Sequence, residues 1–377
     1  MSSNTIQVLL VSDQAAANLL PALDPALKPS AAILLVTGKM QQQAGHLAQV
    51  LGESGVKASQ VMLPNEHDYG QLESALLDLA SQHEGATVTL NVTGGTKLMA
   101  LAAQSVALAA GWAVFYVDAD TDEVIWLGKE ARRQPLTQQL RLRHYLRGYG
   151  FTLEEGIARP QPSQRHNDLL RTLVTQVGSL EKPIGQLNWL GQEAEEKKRL
   201  SITLTPQQLD SRGLEALLRI FQDAGVLTVQ GNSLTFASEA ERDFAKGGWL
   251  EHHVFRSVSA LSGDLGLRDK AANLVVLDKD SVKNELDVAF MAKNRLFVIE
   301  CKTARMDSPE APKANVTLFK LAEICRRVGG LGTRGMLASY RPLGEAEKRL
   351  AGALRIELVC GAELVRLDEK IRNWVRR

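Results

Sequence analysis

Two short segments in the C-terminal third carry residues whose types and spacing could do hydrolytic chemistry. They are Asn284-Glu285-Leu286-Asp287-Val288-Ala289-Phe290 and Phe297-Val298-Ile299-Glu300-Cys301-Lys302, with the turn pair Lys293-Asn294 between them. Strand side chains alternate faces, so Glu285, Asp287 and Ala289 are expected on one side of the first segment, and Glu300 and Lys302 on one side of the second. Charges ending a strand that otherwise reads Leu-Phe-Val-Ile are costly unless they have partners. A divalent cation held between Asp287 and Glu300, with the Cys301 carbonyl oxygen completing the protein's share, would be such a partner. Oxygen ligands with retained waters suit magnesium or manganese. Lys302 would orient or deprotonate the attacking water, or neutralise charge on a pentacovalent phosphate. The adjacent His252 and His253 lack metal-ligand spacing and are expected to pack or face solvent.

A second group lies near the N-terminus, where Asn91-Val92-Thr93-Gly94-Gly95-Thr96-Lys97-Leu98-Met99 runs from a strand pattern into a helix pattern. Backbone N–H groups at a helix N-terminus, with glycines allowing close approach, make an anion site. The spacing is not that of a P-loop, which disfavours an ordinary nucleotide triphosphatase. Two other strand ends carry polar turns, Ser12-Asp13-Gln14 and Thr37-Gly38-Lys39-Met40. In a doubly wound sheet all three would line the carboxyl edge, where such folds bind ligands.

These sites need elements to hold them. Apolar runs at Ile6–Val11, Ala32–Val36, Val61–Leu63, Val88–Val92 and Ala113–Val117 read as parallel strands, with helices between them at Tyr69–Leu79 and Leu98–Ala110. Alternation of this kind specifies a Rossmann-like α/β sheet covered on both faces, over residues 1–150. Val124–Leu127 is expected as an antiparallel partner, and Arg132 to Arg147 as a basic helix leading to the linker Arg159–Ser163. Residues 165–245 read as a winged-helix-like unit: a capped turn at Thr205–Gln208, a helix at Leu214–Ala224, and strands flanking Gly231-Asn232. Its second helix carries Glu215 and Asp223 beside Arg219, which favours a spacer over a DNA reader. Residues 246–377 form a third α/β unit: helix Trp249–Val258, strand Asn273–Leu277, the charged hairpin, helix Val316–Val328 and strand Met336–Ser339. The run Gly330 to Gly335 matches a dinucleotide fingerprint in letters but follows a helix, so it reads as a loop.

Composition bounds the partners. Residues 246–377 carry 24 Lys and Arg against 17 Asp and Glu, giving +7, and the first 245 carry 20 against 26, giving −6. The basic third is the end expected to meet a polyanion. No apolar run reaches the ~18 residues of a membrane span, and no secretory leader is readable, so a cytoplasmic protein is expected. Three cysteines without paired spacing disfavour a disulfide framework or structural zinc site.

The pattern ExD, twelve residues, ExK resembles the core of the PD-(D/E)XK nucleases, although Leu286 stands where the family's proline usually does. The resemblance implies Asp287, Glu300, Lys302 and Glu285 as catalytic residues, with Glu251 matching a frequent helical carboxylate and Lys320 on the following helix. The VTGGTKLM and VTGKM runs resemble the CARF ligand-sensing domain of type III CRISPR defence. CARF domain, winged-helix-like insert and nuclease in this order resemble the CRISPR ancillary nucleases activated by cyclic tetra-adenylate. That implies a homodimer binding one cyclic oligonucleotide across its two-fold axis, and manganese- or magnesium-dependent cutting of RNA or DNA. Two other readings stay open: a ligand-sensing transcriptional regulator, and a restriction or repair nuclease with an accessory sensor.

Overall fold

The computed structural model describes residues 5–128, 132–154, 166–304, 313–329 and 332–377. The Arg159–Ser163 linker run and Gly330-Leu331 of the glycine-rich run lie outside the described residues. The first seven strands are β1 (Thr5–Leu10), β2 (Ala31–Val36), β3 (Lys57–Met62), β4 (Thr87–Asn91), β5 (Ala113–Asp118), β6 (Glu123–Leu127) and β7 (Arg132–Pro135). They form one sheet in the order β3-β2-β1-β4-β5-β6-β7, parallel from β3 to β5 and antiparallel thereafter. The chain moves outward from β1 through β3 and then returns to place β4 on β1's other side. The carboxyl ends of β1 and β4 therefore flank the switch point of the sheet, where a crevice opens. The basic stretch expected as one helix is instead β7 followed by the short helix Leu142–Gly148. Cross-strand partners decide this: Arg133 pairs with Glu123 at 2.7 Å, and Arg132 lies over the Trp126 ring.

After β8 (Thr152–Leu153), helices Asn167–Thr175 and Val177–Glu196 lead into a small sheet of β9 (Ser201–Thr203), β10 (Leu227–Gln230) and β11 (Ser233–Phe236), ordered β10-β11-β9. Thr205 starts the short helix Pro206–Leu209 with a capping box, and Ser211 caps helix Arg212–Asp223. The third unit has strands β12 (Asp269–Leu277), β13 (Lys283–Ala292), β14 (Arg295–Lys302), β15 (Arg334–Ser339) and β16 (Ile356–Cys360). Its sheet order is β16-β15-β14-β13-β12-β8, so a strand from residues 152–153 closes one edge. Lys293 and Asn294 both take positive φ (47° and 53°), the turn that suits a two-residue hairpin. Helix Glu345–Ala353, β16 and the C-terminal helix Leu367–Arg376 are additions to the elements expected from sequence.

The three stretches are not separate bodies strung on linkers. One core runs from Leu169 and Leu187 of the insert through Trp249 to Phe290 and Phe297 of the last sheet. Another joins Leu9 and Leu34 of the first sheet and Tyr145 of helix Leu142–Gly148 to Leu296, Leu318 and Leu337 of the third unit. Polar bonds cross the same boundary: Leu142 N–H donates to Asp269 (3.1 Å), and Tyr145 donates to the Gly329 carbonyl (3.2 Å). Distance along the chain suggests remote sites; packing brings the first and third units into direct contact.

Candidate functional site

The charged hairpin is positioned by an interruption in strand alternation. Leu274, Val276 and Leu286 pack into the core shared with the first domain. Ala272, Val288 and Phe290, an even number of residues away, pack on the opposite side against Trp249. Both strands therefore turn over between these positions, at Asn273 and Asp287. Asn273 takes φ 50°, a conformation that asparagine tolerates better than most residues. The expectation that Glu285, Asp287 and Ala289 share a face is corrected. Ala289 joins the first-domain side, whereas Glu285 lines the cavity on the Trp249-helix side.

The same turnover ends the β13–β14 ladder at Val288 and Ile299. Beyond it the Asp287 carboxylate accepts the Cys301 N–H at 2.7 Å, standing in for a ladder bond. The Cys301 carbonyl lies on that same strand edge, open toward Asp287. Lys302 extends its ammonium to Glu300 (2.5 Å) and toward Asp287 (3.8 Å), so Glu300 and Lys302 share a face as expected. Glu251, in the first turn of helix Trp249–Ala260, lines with Glu285 and Lys302 an open cavity of about 860 Å³. His252 reaches this cavity too, packed edge-on against Phe244 at 5.3 Å.

The cluster gathers more negative charge than its surroundings favour. Burial pushes the Asp287 carboxyl up to about 7, and the Glu300 charge adds to the push against the opposing pull of Lys302. Burial and then Glu285 raise the Glu251 carboxyl. Burial disfavours the Lys302 ammonium, but Glu300 and Asp287 more than offset it and hold it above the usual lysine range. Among the described residues no three acidic, histidine or cysteine side chains cage an ion by themselves. The donor set fits a magnesium- or manganese-type ion differently, through Asp287, Glu300 and the Cys301 carbonyl with water filling the rest. The Lys302 ammonium now stands between the two carboxylates where that positive charge would go.

At the other end, the GGT turn is pressed onto β1. A side chain at Gly94 would meet the Leu10 carbonyl oxygen at 2.1 Å, and Gly95 takes φ 72° over Leu10 and Met99. Ser12 lies against Gly94 and accepts the Gln14 N–H at 3.3 Å, so the first and third turns form one rim. Thr96 caps helix Lys97–Ala109 through the Met99 N–H (3.2 Å). Lys97 is exposed and pairs with no acid among the described residues. Asp13, Lys39 and Met40 line a separate cavity of about 260 Å³ with Tyr149, Asp278 and Arg327, at the junction with the third unit. Lys39 is tied to Glu66 at 2.9 Å, beside the exposed Gly38. Three side chains serve the rim from within the fold. The Thr93 hydroxyl bonds Asn91 (2.6 Å) and accepts the Val117 N–H (2.7 Å), and Thr37 and Met99 are buried.

Comparison with known proteins follows this division. Residues 6–145 match the Card1 CARF domain, and residues 238–377 match the endonuclease domain of Card1-like proteins. The two ends of the chain are thus of the Card1 type, a CARF domain and an endonuclease domain. It is similar to protein VC1899 from Vibrio cholerae, at 27% identity and a TM-score of 0.91 over 99% of this chain and 98% of that one. It is also similar to Can2 from Sulfobacillus thermosulfidooxidans, solved in complex with cyclic tetra-adenylate, at 26% identity and a TM-score of 0.83 over 98% and 99% of the two chains. A type III CRISPR defence DNA nuclease activated by cyclic oligoadenylate shares the fold, at 20% identity and a TM-score of 0.55 over 91% of this chain and 46% of that one. No curated protein matches by sequence.

In this CARF endonuclease several supporting residues escape the sequence reading. Buried Asn91 donates to Asn18 (3.0 Å) and the Ala17 carbonyl (2.9 Å), fixing the start of the GGT turn. Asn18 in turn donates to the Leu10 carbonyl at 2.9 Å. Two asparagines on apolar elements are the one available signal, since a buried amide needs partners. Asn273 gives no local signal, because its role depends on a strand partner fourteen residues away.

Proposed function

We propose that the chain is a metal-dependent nuclease that cyclic tetra-adenylate switches on, hydrolysing phosphodiester bonds of RNA, DNA or both in CRISPR defence. The observation that carries this reading is the joining, in one chain, of a glycine-rich sheet-edge rim to a half-buried Asp287–Glu300–Lys302 cluster. The Can2 relative, described in complex with cyclic tetra-adenylate and aligned along nearly its whole length, supports the choice of activator.

Asp287, Glu300 and the Cys301 carbonyl would hold manganese or magnesium, and the ion when bound supplies a Lewis acid for the phosphodiester. Lys302, which here contacts Glu300 and Asp287, would offset negative charge developing on the phosphate. Glu251, its carboxyl raised by burial, can hold or release a proton beside the leaving or attacking oxygen. Glu285 adds negative charge at the cavity mouth. The basic excess of residues 246–377 favours contacts to the phosphate backbone over base reading, hence weak sequence preference.

In the sensor, Ser12 to Gln14, Thr37 to Met40 and Thr93 to Lys97 with Met99 are the ligand edge, with Lys97 and backbone N–H groups facing phosphate. A homodimer accounts for the exposed Leu77 (49%), Leu101 (59%) and Leu108 (58%) on adjoining helices, because an isologous contact would cover them and offer each half of a cyclic tetranucleotide the same loops. The junction cavity gives the switch a physical route. Asp13 and Lys39 face Asp278 and Arg327 across it, Arg327 pairs with Asp278, and the Arg327 helix carries Cys325 beside Glu300. An activator acts only through unequal affinity for two arrangements of such a junction.

No described helix is long and apolar enough to cross a membrane, and the reading places the protein in the cytoplasm with its nucleic acids. A transcriptional regulator would have no use for a half-buried carboxylate cluster built around a lysine. A restriction or repair nuclease would not require the activator. The deciding experiment incubates the protein with manganese, labelled RNA and supercoiled plasmid, with and without cyclic tetra-adenylate. Cleavage that depends on both ion and activator is expected, and cleavage indifferent to the activator refutes the switch.

A further inference from the structure

Trp189 is anomalous among the five tryptophans. Trp249 and Trp374 are 0% and 4% exposed, whereas Trp189, on helix Val177–Glu196 of the insert, is 55% exposed. It sits on the wall between two adjoining cavities. One, of about 860 Å³, contains Glu251 and Lys302. The other, of about 520 Å³, is lined by Lys182 and Arg341, and the two share Trp189, Asn188, Gly185 and Ala304. They form a continuous trough with catalytic candidates at one end and, at the other, Lys182 and an Arg341 that pairs with Glu181 at 3.4 Å. Lys182 is exposed and forms no ion pair among the described residues.

The helix that carries the tryptophan is also tied to the strand end of the reacting centre. The adjacent Asn188, with its amide nitrogen toward the Lys246 and Ile184 carbonyls (3.0 and 3.2 Å), accepts the hydroxyl of Thr303 at 2.9 Å, and Thr303 directly follows Lys302. Gly185 admits the Arg341 guanidinium, since a Cβ there would lie 2.7 Å from Nη2. Gly191 admits Lys246 in the same way, with 3.0 Å to its Cβ. Two glycines in mid-helix cost stability, which close approach of the nuclease unit explains here.

We infer that Trp189 is a stacking platform for an unpaired nucleobase of the substrate strand beside the scissile phosphate, so that the insert completes the nuclease groove. An exposed indole beside a phosphate-handling lysine, with the exposed Lys182 further along the trough, is the arrangement that holds single strands without reading sequence. In a duplex the base faces are already stacked and could not reach it. The inference rests on the nuclease reading.

The test uses the full chain with manganese, cyclic tetra-adenylate and a single-stranded oligonucleotide, intact or abasic at single positions beside the cleaved bond. Trp189→Ala should raise KM roughly 5- to 100-fold with kcat nearly unchanged, the span expected when one base–aromatic stack is lost. Trp189→Phe should recover most of it. An abasic site at the platform position should cost the wild type a similar factor and the alanine variant nothing further. An unchanged KM in Trp189→Ala overturns the inference, as does an equal abasic penalty in both proteins. A shift in oligomeric state by sedimentation with KM intact overturns it too and assigns the indole to a protein contact. If the wild type cleaves nothing, the nuclease reading fails by itself. Fluorescence anisotropy of the same oligonucleotides on wild type and Trp189→Ala then still decides the platform.

Discussion

Replacing Asp287 by asparagine should abolish cleavage and yet stabilise the metal-free protein. Asparagine keeps an oxygen to accept the Cys301 N–H, now 2.7 Å from the carboxylate, so the splayed strand ends stay joined. What it removes is a charge that the fold disfavours. Burial and the Glu300 carboxylate raise Asp287 from 3.8 to about 7. Between those values the folded protein binds the proton that the unfolded chain releases, so the wild type loses stability as pH rises from about 4 to about 7 and levels off above. At 1.36 kcal/mol for each pH unit that interval corresponds to about 4 kcal/mol. Asp287→Asn should therefore match the wild type near pH 4 and exceed it by a few kcal/mol at pH 7–8, several degrees in Tm. Manganese narrows the gap, because binding to the folded wild type stabilises it by about 2.7 kcal/mol at a hundredfold excess over Kd, and the variant has lost a ligand. Thermal melts of both proteins in EDTA and in manganese, at pH 4.5, 6, 7 and 8, read all of this. A variant less stable than wild type at pH 8 in EDTA, or one stabilised equally by manganese, refutes the cation-demanding cluster.

Glu300→Gln should abolish cleavage while calorimetric binding of cyclic tetra-adenylate stays intact; cleavage at the wild-type rate in saturating manganese excludes Glu300 from the site. Lys97→Ala should weaken activator binding by about 1–3 kcal/mol, the order of a charge-assisted hydrogen bond, and an unchanged affinity would place the ligand elsewhere. Leu101→Glu with Leu108→Glu should convert dimer to monomer in sedimentation, whereas a dimer that survives both charges rules out that helix face as the contact. Arg327→Ala, which removes the pair with Asp278 at the junction cavity, should raise the activator concentration for half-maximal cleavage more than it lowers the saturated rate. Lys302→Ala should do the reverse, and identical titrations for the two variants would undo the distinction between junction and reaction centre.

Where the sequence spoke, it spoke through local pattern. Runs rich in apolar residues announced β1, β2, β4 and β5, the Lys293-Asn294 turn announced the hairpin, and Glu300 two residues before Lys302 announced a charged strand end. Each depends only on neighbours within a few positions. The turnover at Asp287 was invisible for the same reason. Period-two alternation assumes an even strand, and the kink exists only because Asn273, on another strand, adopts φ 50° opposite it. Union of the units was hidden more deeply. Tyr145 and Gly329, or Asn188 and Thr303, lie more than a hundred residues apart, and each is an ordinary residue in its own segment. The Trp189 side chain illustrates how the two kinds of information combine. A tryptophan on an amphipathic helix is usually read as core, since burial of its large ring is favourable. Helix Val177–Glu196 does bury Leu180, Ile184, Leu187 and Leu190, but position 189 falls off that stripe, and only the neighbouring trough gives its exposure a use.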